Sequence, residues 1–261
     1  MARLKIALVQ MRCEKAGLDE NLREMERHIR EAAARGVDIV GFPEASLTGF
    51  ADPTKHPRAV IRRDGPEMAA VLAMTRGHDM TVLPGFIEAN PAGKPFVTQA
   101  VVRDGRVIGY HRKQFIIEEE DEWFTPGERI ATFRHGGLGF GIAICADLTT
   151  EAVYAVCARR GACIVFHLAA PGLYGDRASR DWRAGYEWWE GVCRKYFEGY
   201  ARKYGIWIAV ATQAGRTCDE DFPGGGYVFA PDGRRLYATP DGSAGAVYLE
   251  LDMGRQKVRE I

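Results

Sequence analysis

Long apolar runs are missing from this chain. The opening "MARLKIALVQM" holds a short apolar stretch before charges return. That is too short for a secretory core or a membrane span, and no later run approaches the roughly 18 apolar residues a spanning helix needs. The expectation is a cytoplasmic protein with no membrane partner. An excess of either charge is missing too, with 35 Lys and Arg against 35 Asp and Glu. A balanced chain lacks the basic footprint that nucleic acid demands, so none is expected as a partner. The same balance opposes self-association only weakly. The six cysteines, at 13, 145, 157, 163, 193 and 218, include no C-x-x-C pair, and the six histidines include no H-E-x-x-H. Free thiols are expected, with neither a metal site nor a cofactor.

What is present is a core-forming chain of 261 residues, 46% of them hydrophobic, with no Pro/Ser-rich linker and no internal repeat. One domain spanning residues 1–261 is expected. "LKIALVQ" (4–10) reads as a buried strand. "DENLREMERHIREAAARG" (19–36) reads as a helix capped by Asp19 and stopped by Gly36, and "VDIVGF" (37–42) as a second strand ended by Pro43. Further helices are expected over 65–77, 150–161 and 180–205. Strands are expected over 80–89, 96–103, 107–113, 162–169, 206–213, 225–233, 234–240 and 245–252, with a hairpin leading into "GIAIC". Helices alternate with strands and hairpins throughout. The class is α/β, with mixed sheets between helical layers. The continuously apolar strands suit burial on both faces.

Three stretches place a reactive side chain just past an apolar strand. Glu44 follows "VDIVGFP", Lys113 follows "VIGYHR" and Cys145 follows "GFGIAI". Strand ends on one sheet edge are where α/β proteins build sites. The trio also makes chemical sense together. A carboxylate can take a thiol's proton, a cation favours the resulting anion and an oxyanion, and the protonated carboxyl can donate to a leaving amine. Read singly, each has a plainer explanation: Cys145 as a small core hydrophobe, Glu44 and Lys113 as solvated loop charges. A redox-sensing thiol would need a resolving cysteine near Cys145.

The flanking blocks decide between these readings. "GFPEASLTG" (41–49), "HRKQFI" (111–116), "EDEWFTPG" (120–127) and "GIAICAD" (141–147) occur in this order, after an opening "KIALVQM". Together they resemble the nitrilase superfamily of carbon–nitrogen hydrolases, over nearly the whole chain. The resemblance implies a four-layer αββα sandwich that pairs into a homodimer or larger homo-oligomer. It implies Glu44 as general base, Lys113 as the cation steadying the tetrahedral intermediate, Cys145 as nucleophile and the backbone N–H of Ala146 as a further oxyanion donor. Glu120 corresponds to an additional glutamate that holds the lysine. Glu118, Glu119, Asp121 and Glu122 stand close enough for that register to slip by one.

This chain departs from the family pattern after the cysteine. Ala146 stands where Tyr or Trp is frequent, and "DLTTEA" replaces "D-x-R-F-P-E". Asp147, where members acting on nitriles commonly carry Glu, leans the reading toward amides or N-carbamoyl compounds over nitriles. Asp147, His167 and Arg177, with Arg180 beside it, are carried forward as substrate-binding residues. A backbone-bonded histidine and surface arginines are the plainer readings of the last three. The aromatic-dense helix 180–205 fits core, subunit interface or pocket rim. A small-molecule substrate is the partner expected. A non-catalytic scaffold would show a lost member of the trio, and none is lost.

Overall fold

The computed structural model describes residues 3–261. The side chain of Glu119 lies outside what it describes. In chain order the first half comprises β1 (Arg3–Gln10), α1 (Leu18–Ala34), β2 (Ile39–Gly41), β3 (Val60–Ile61), α2 (Pro66–Met74), β4 (Thr81–Leu83), β5 (Gly85–Glu88), β6 (Phe96–Arg103), β7 (Arg106–Arg112) and α3 (Glu118–Asp121). The second half comprises β8 (Thr132–His135), β9 (Leu138–Ile144), α4 (Ala152–Arg159), β10 (Ile164–Ala169), α5 (Trp182–Tyr204), β11 (Trp207–Thr212), β12 (Ala214–Arg216), β13 (Asp221–Pro223), β14 (Gly226–Phe229), β15 (Arg235–Ala238), β16 (Gly245–Asp252) and β17 (Lys257–Glu260).

Among the described residues these strands form a nine-stranded sheet, a six-stranded sheet and the small β12–β13 hairpin. The first sheet runs β17-β16-β1-β2-β4-β6-β5-β3, with β7 also paired to β6, and the second runs β15-β14-β11-β10-β9-β8. The strand parity explains the layers. From the first sheet Ile6, Leu8 and Ile39 meet Ile142, Ile144, Phe166 and Leu168 of the second in one core between the sheets. The opposite face of the first sheet, with Val9 and Val40, packs on α1 and α2 through Met25, Ile29 and Met68. The outer face of the second, with Val165 and Val210, packs on α4 and α5 through Tyr154, Trp189 and Phe197. The result is the expected αββα sandwich. No helix among the described residues is long and apolar enough to cross a membrane.

Helix α5 starts at Asp181, whose carboxylate accepts from Ala184 N at 2.9 Å, and ends on Gly205 in the left-handed region. The expected cap of α1 is corrected. The helix begins one residue earlier, at Leu18, on Gly17 with no side-chain cap. Asp19 lies inside the first turn, where its charge favours the helix dipole. The single strand expected over 80–89 is split at Pro84, which interrupts the ladder between β4 and β5. The acidic run, to which the sequence reading gave no element, contributes a short helix, α3.

Candidate active site

Four strand ends converge at one edge of the sandwich. Glu44 follows β2, Lys113 follows β7, Cys145 follows β9 and Ala170 follows β10. The two sheets approach closely here: a Cβ at Gly41 would lie 3.0 Å from Leu168 Cδ2. The loop carrying Glu44 is pinned to β5. Gly85 N donates to Ser46 Oγ at 2.9 Å, Leu47 N to Gly85 O at 2.8 Å and Ile87 N to Thr48 Oγ1 at 3.1 Å. Ala45, next to Glu44, has φ +49°, and Cys145 has φ +40°. Both are left-handed positions held by residues other than glycine, a conformation that costs about 1 kcal/mol or more and that the surroundings must enforce.

Lys113 is fully buried and its ammonium is saturated. It donates to Glu44 Oε1 at 2.9 Å and to both Glu120 oxygens at 2.8 Å. Its charge also lies 5.3 Å from the Phe50 ring centre. Glu44 is equally buried, and its other oxygen accepts from Ala170 N at 3.2 Å. The Cys145 thiol is a near neighbour of Glu44 and of the Ala170 amide, and each acts on its proton. One cation thus holds two carboxylates, one of which also faces the thiol.

The charges tune each other. Burial pushes the Glu44 carboxyl up, Lys113 pulls it down only in part, and Glu120 adds to the rise, leaving an acid raised to about 7. Burial alone would lower the Lys113 ammonium, but Glu44 and Glu120 outweigh it and keep the lysine charged. Burial and the Glu44 charge push the Cys145 thiol well up, and Lys113 offsets this only partly. At rest the pair is a protonated thiol beside a carboxylate that titrates near neutrality. A carboxylate in this position can accept a proton from a neighbouring thiol.

Cys145, Ala146 and Glu120 lie on the wall of a cavity of about 510 Å³. The rest of the wall was reached by sequence reasoning only in part, through the aromatics of α5, which fitted a rim. It comes from Phe50, Ile117 and Trp123, from Leu148 after the cysteine, from the 170–174 loop and from Trp188, Val192 and Tyr196 on α5. The aromatic density of α5 was the available signal. It divides by helical face: Trp189 and Phe197 are core, while Trp188 is 44% exposed at the cavity.

Three expected substrate contacts are corrected. His167 is fully buried on the outer face of β10, with Nδ1 2.9 Å from Tyr154 Oη and its ring 4.8 Å from that of Phe197. Burial lowers its pKa to about 3, so it is a neutral packing residue under α5. Asp147 is also fully buried and accepts three backbone N–H groups, from Gln114 at 2.9 Å, Phe115 at 2.8 Å and Ile144 at 2.9 Å. It ties the residues just after Lys113 to the residue just before Cys145. Arg177 is spent on Asp221, at 3.2 Å, and on the carbonyls of Cys218 and Thr217. Arg180 also bonds Asp221, at 3.0 Å. His56, Cys218 and Asp219 bring donor atoms within 4.8 Å of one another and so could hold a cation. However, Asp219 is already paired with Lys15 at 2.7 Å.

Comparison with known proteins identifies the family. Residues 5–259 match the carbon-nitrogen hydrolase family. A glutamine-dependent NAD(+) synthetase of Thermotoga maritima is 30% identical over 153 residues, which cover 57% of this chain and 26% of that protein. The omega-amidase of Bos taurus is 27% identical over 67% of this chain and 65% of its own. This chain therefore spans about a quarter of the synthetase and just under two thirds of the omega-amidase. Among solved structures, a variant of a Nesterenkonia amidase from the nitrilase superfamily superposes with a TM-score of 0.81 at 21% identity, over 95% of this chain and 90% of that one. With the family pattern running almost end to end over an αββα sandwich, the chain belongs to the carbon-nitrogen hydrolase family.

Proposed function

We propose that this protein hydrolyses the C–N bond of small amides or N-carbamoyl compounds through a thioester on Cys145. The observation that carries this reading is the Cys145–Glu44–Lys113–Glu120 chain of contacts, buried at the foot of an open cavity. The substrate carbonyl carbon sits over Cys145. Glu44 accepts the thiol proton as sulfur attacks, and the carbonyl oxygen becomes an oxyanion. Lys113 and the Ala146 N–H stabilise it, with one of the two Lys113–Glu120 bonds opening to free a donor. Collapse breaks the C–N bond, and Glu44 returns the proton to the leaving ammonia or amine. A water then attacks the thioester, giving a proton to Glu44 and its oxygen to the acyl carbon. The S–C bond breaks and the thiol is restored. Each half uses Glu44 once as base and once as acid, a role served by an acid that titrates near 7. Glu120 holds Lys113 and touches the cavity, which suits a positioning role.

A Nesterenkonia amidase variant that carries acrylamide on its active-site cysteine supports assigning the attack to a cysteine. A second reading is nitrile hydrolysis by the same residues. The synthetases among the relatives suggest a third, release of ammonia from glutamine. Ammonia release from a panel of amides, N-carbamoyl amines, nitriles and glutamine, with Cys145→Ala alongside, separates them. Release that persists in Cys145→Ala would remove Cys145 from the mechanism. Release from wild type against none from the variant is the expected result.

A further inference from the structure

The wall of the cavity points to a narrower substrate class. We infer that the preferred substrates are amides with an uncharged, apolar acyl group, branched or arylalkyl, and that a carboxylate at the far end of the acyl chain is disfavoured. This rests on the proposed hydrolase reading. Three observations carry it.

First, the wall beyond the reacting groups is mainly apolar and aromatic, with Phe50, Trp123, Leu148, Leu173 and Trp188 around about 510 Å³. That is within the size range of small-molecule sites. Second, the arginines that a substrate carboxylate would need are already committed. Arg177, Arg180 and Arg216 all converge on the buried carboxylate of Asp221, at 3.2, 3.0 and 2.9 Å. None of them is on the cavity wall. Third, two opposite charges share the wall. Glu220 lines the cavity, held by Lys15 at 2.9 Å, and its carboxylate occupies the space a Cβ at Gly172 would need. Lys195, exposed on α5, lines the cavity too. A substrate anion drawn by the lysine meets a fixed anion on the same wall. An apolar group meets several rings and gains by leaving water.

The test measures kcat/KM for acetamide, phenylacetamide and the near-isosteric pair 4-methylpentanamide and succinamate, with glutamine as a fifth substrate. Phenylacetamide is expected to exceed acetamide by about 100-fold, since each methylene-sized group in an apolar pocket is worth roughly 10-fold or more. The neutral 4-methylpentanamide is expected to exceed succinamate by a similar factor. Trp188→Ala should lower the phenylacetamide-to-acetamide ratio about 10-fold. Val192→Arg, which places a cation on the same wall, should move the isosteric pair toward succinamate. Succinamate or glutamine turned over as well as 4-methylpentanamide would overturn the inference, and loss of that turnover in Lys195→Met would name the residue responsible. If no amide is hydrolysed, the hydrolase reading fails instead. The wall is then read by protection of Cys145 against iodoacetamide. Protection by 4-methylpentanamide at lower concentration than by succinamate supports the inference, and the reverse order overturns it.

Discussion

Two buried charge clusters in this molecule use similar groups and arrive at opposite electrostatics. Around Asp221, three guanidiniums surround one carboxylate. Burial alone would raise its pKa, yet the arginines hold it down at about 2. Around Lys113, one ammonium serves two carboxylates and a thiol, and Glu44 is left raised to about 7. Surplus compensation gives Asp221 a permanent charge and a structural task, fastening the 173–180 loop to the β12–β13 hairpin. Short compensation gives Glu44 a proton it can exchange near neutral pH. Burial raises both carboxyls, and the number of cations around each decides whether that rise survives.

The comparison can be broken hardest at Glu44. Glu44→Gln removes the proton acceptor while keeping a polar amide beside Lys113. Amide turnover should fall by about 10²–10⁴-fold, read as kcat/KM in steady-state assays. A loss under 10-fold would place the base elsewhere. Next is Asp147→Asn, which turns an acceptor for the Ile144 N–H into a donor. Lys113 and Cys145 should drift apart, with kcat falling about 10- to 100-fold and KM changing less. Thr75→Val, a polar substitution far from the site, should leave kcat as it is. Equal losses in both variants would reduce Asp147 to a general stability role.

The pH profile sharpens the comparison. Glu44 acts as a base only when unprotonated, and its pKa is raised, so kcat/KM should rise with pH by up to about 10-fold per unit below about 7 and level off above it. A profile flat down to pH 5 would contradict the raised value. The smallest effect on turnover belongs to the other cluster. Because the Asp221 pKa is depressed on folding, its contribution is complete above about 4 and is lost as pH falls toward 2. Asp221→Asn should therefore destabilise the fold at pH 7 and progressively less in acid, measured by urea unfolding at pH 7 and pH 3.

The motif blocks named four residues that the fold brings together. Glu44, Lys113, Cys145 and Glu120 stand one bond or contact apart, and the hesitation over register in the acidic run resolves to Glu120. The layers were legible from strand and helix periodicity. Side-chain direction was not, wherever both faces of a strand are buried. "ACIVFHLA" is apolar on both parities save for His167, and one histidine does not say that Phe166 faces the first sheet while His167 faces α5. Asp147 and Arg177 failed for another reason. Their partners, the amides of Gln114 and Phe115 and the carboxylate of Asp221, lie 32 to 44 residues away in the chain. A composition argument cannot tell a committed charge from a free one.

The left-handed turn at Cys145 limits which amino acids could ever take its place. At φ +40° the backbone accepts a small unbranched side chain with modest strain. Serine fits that description, so a hydroxyl in place of the thiol lies one substitution away. Threonine does not, since a branched Cβ in this region is a steric outlier before any chemistry is considered. The fold therefore narrows the repertoire available to mutation and to directed evolution at this position. An exchange of the proposed nucleophile would have to go through serine, or wait for the strand end to be rebuilt.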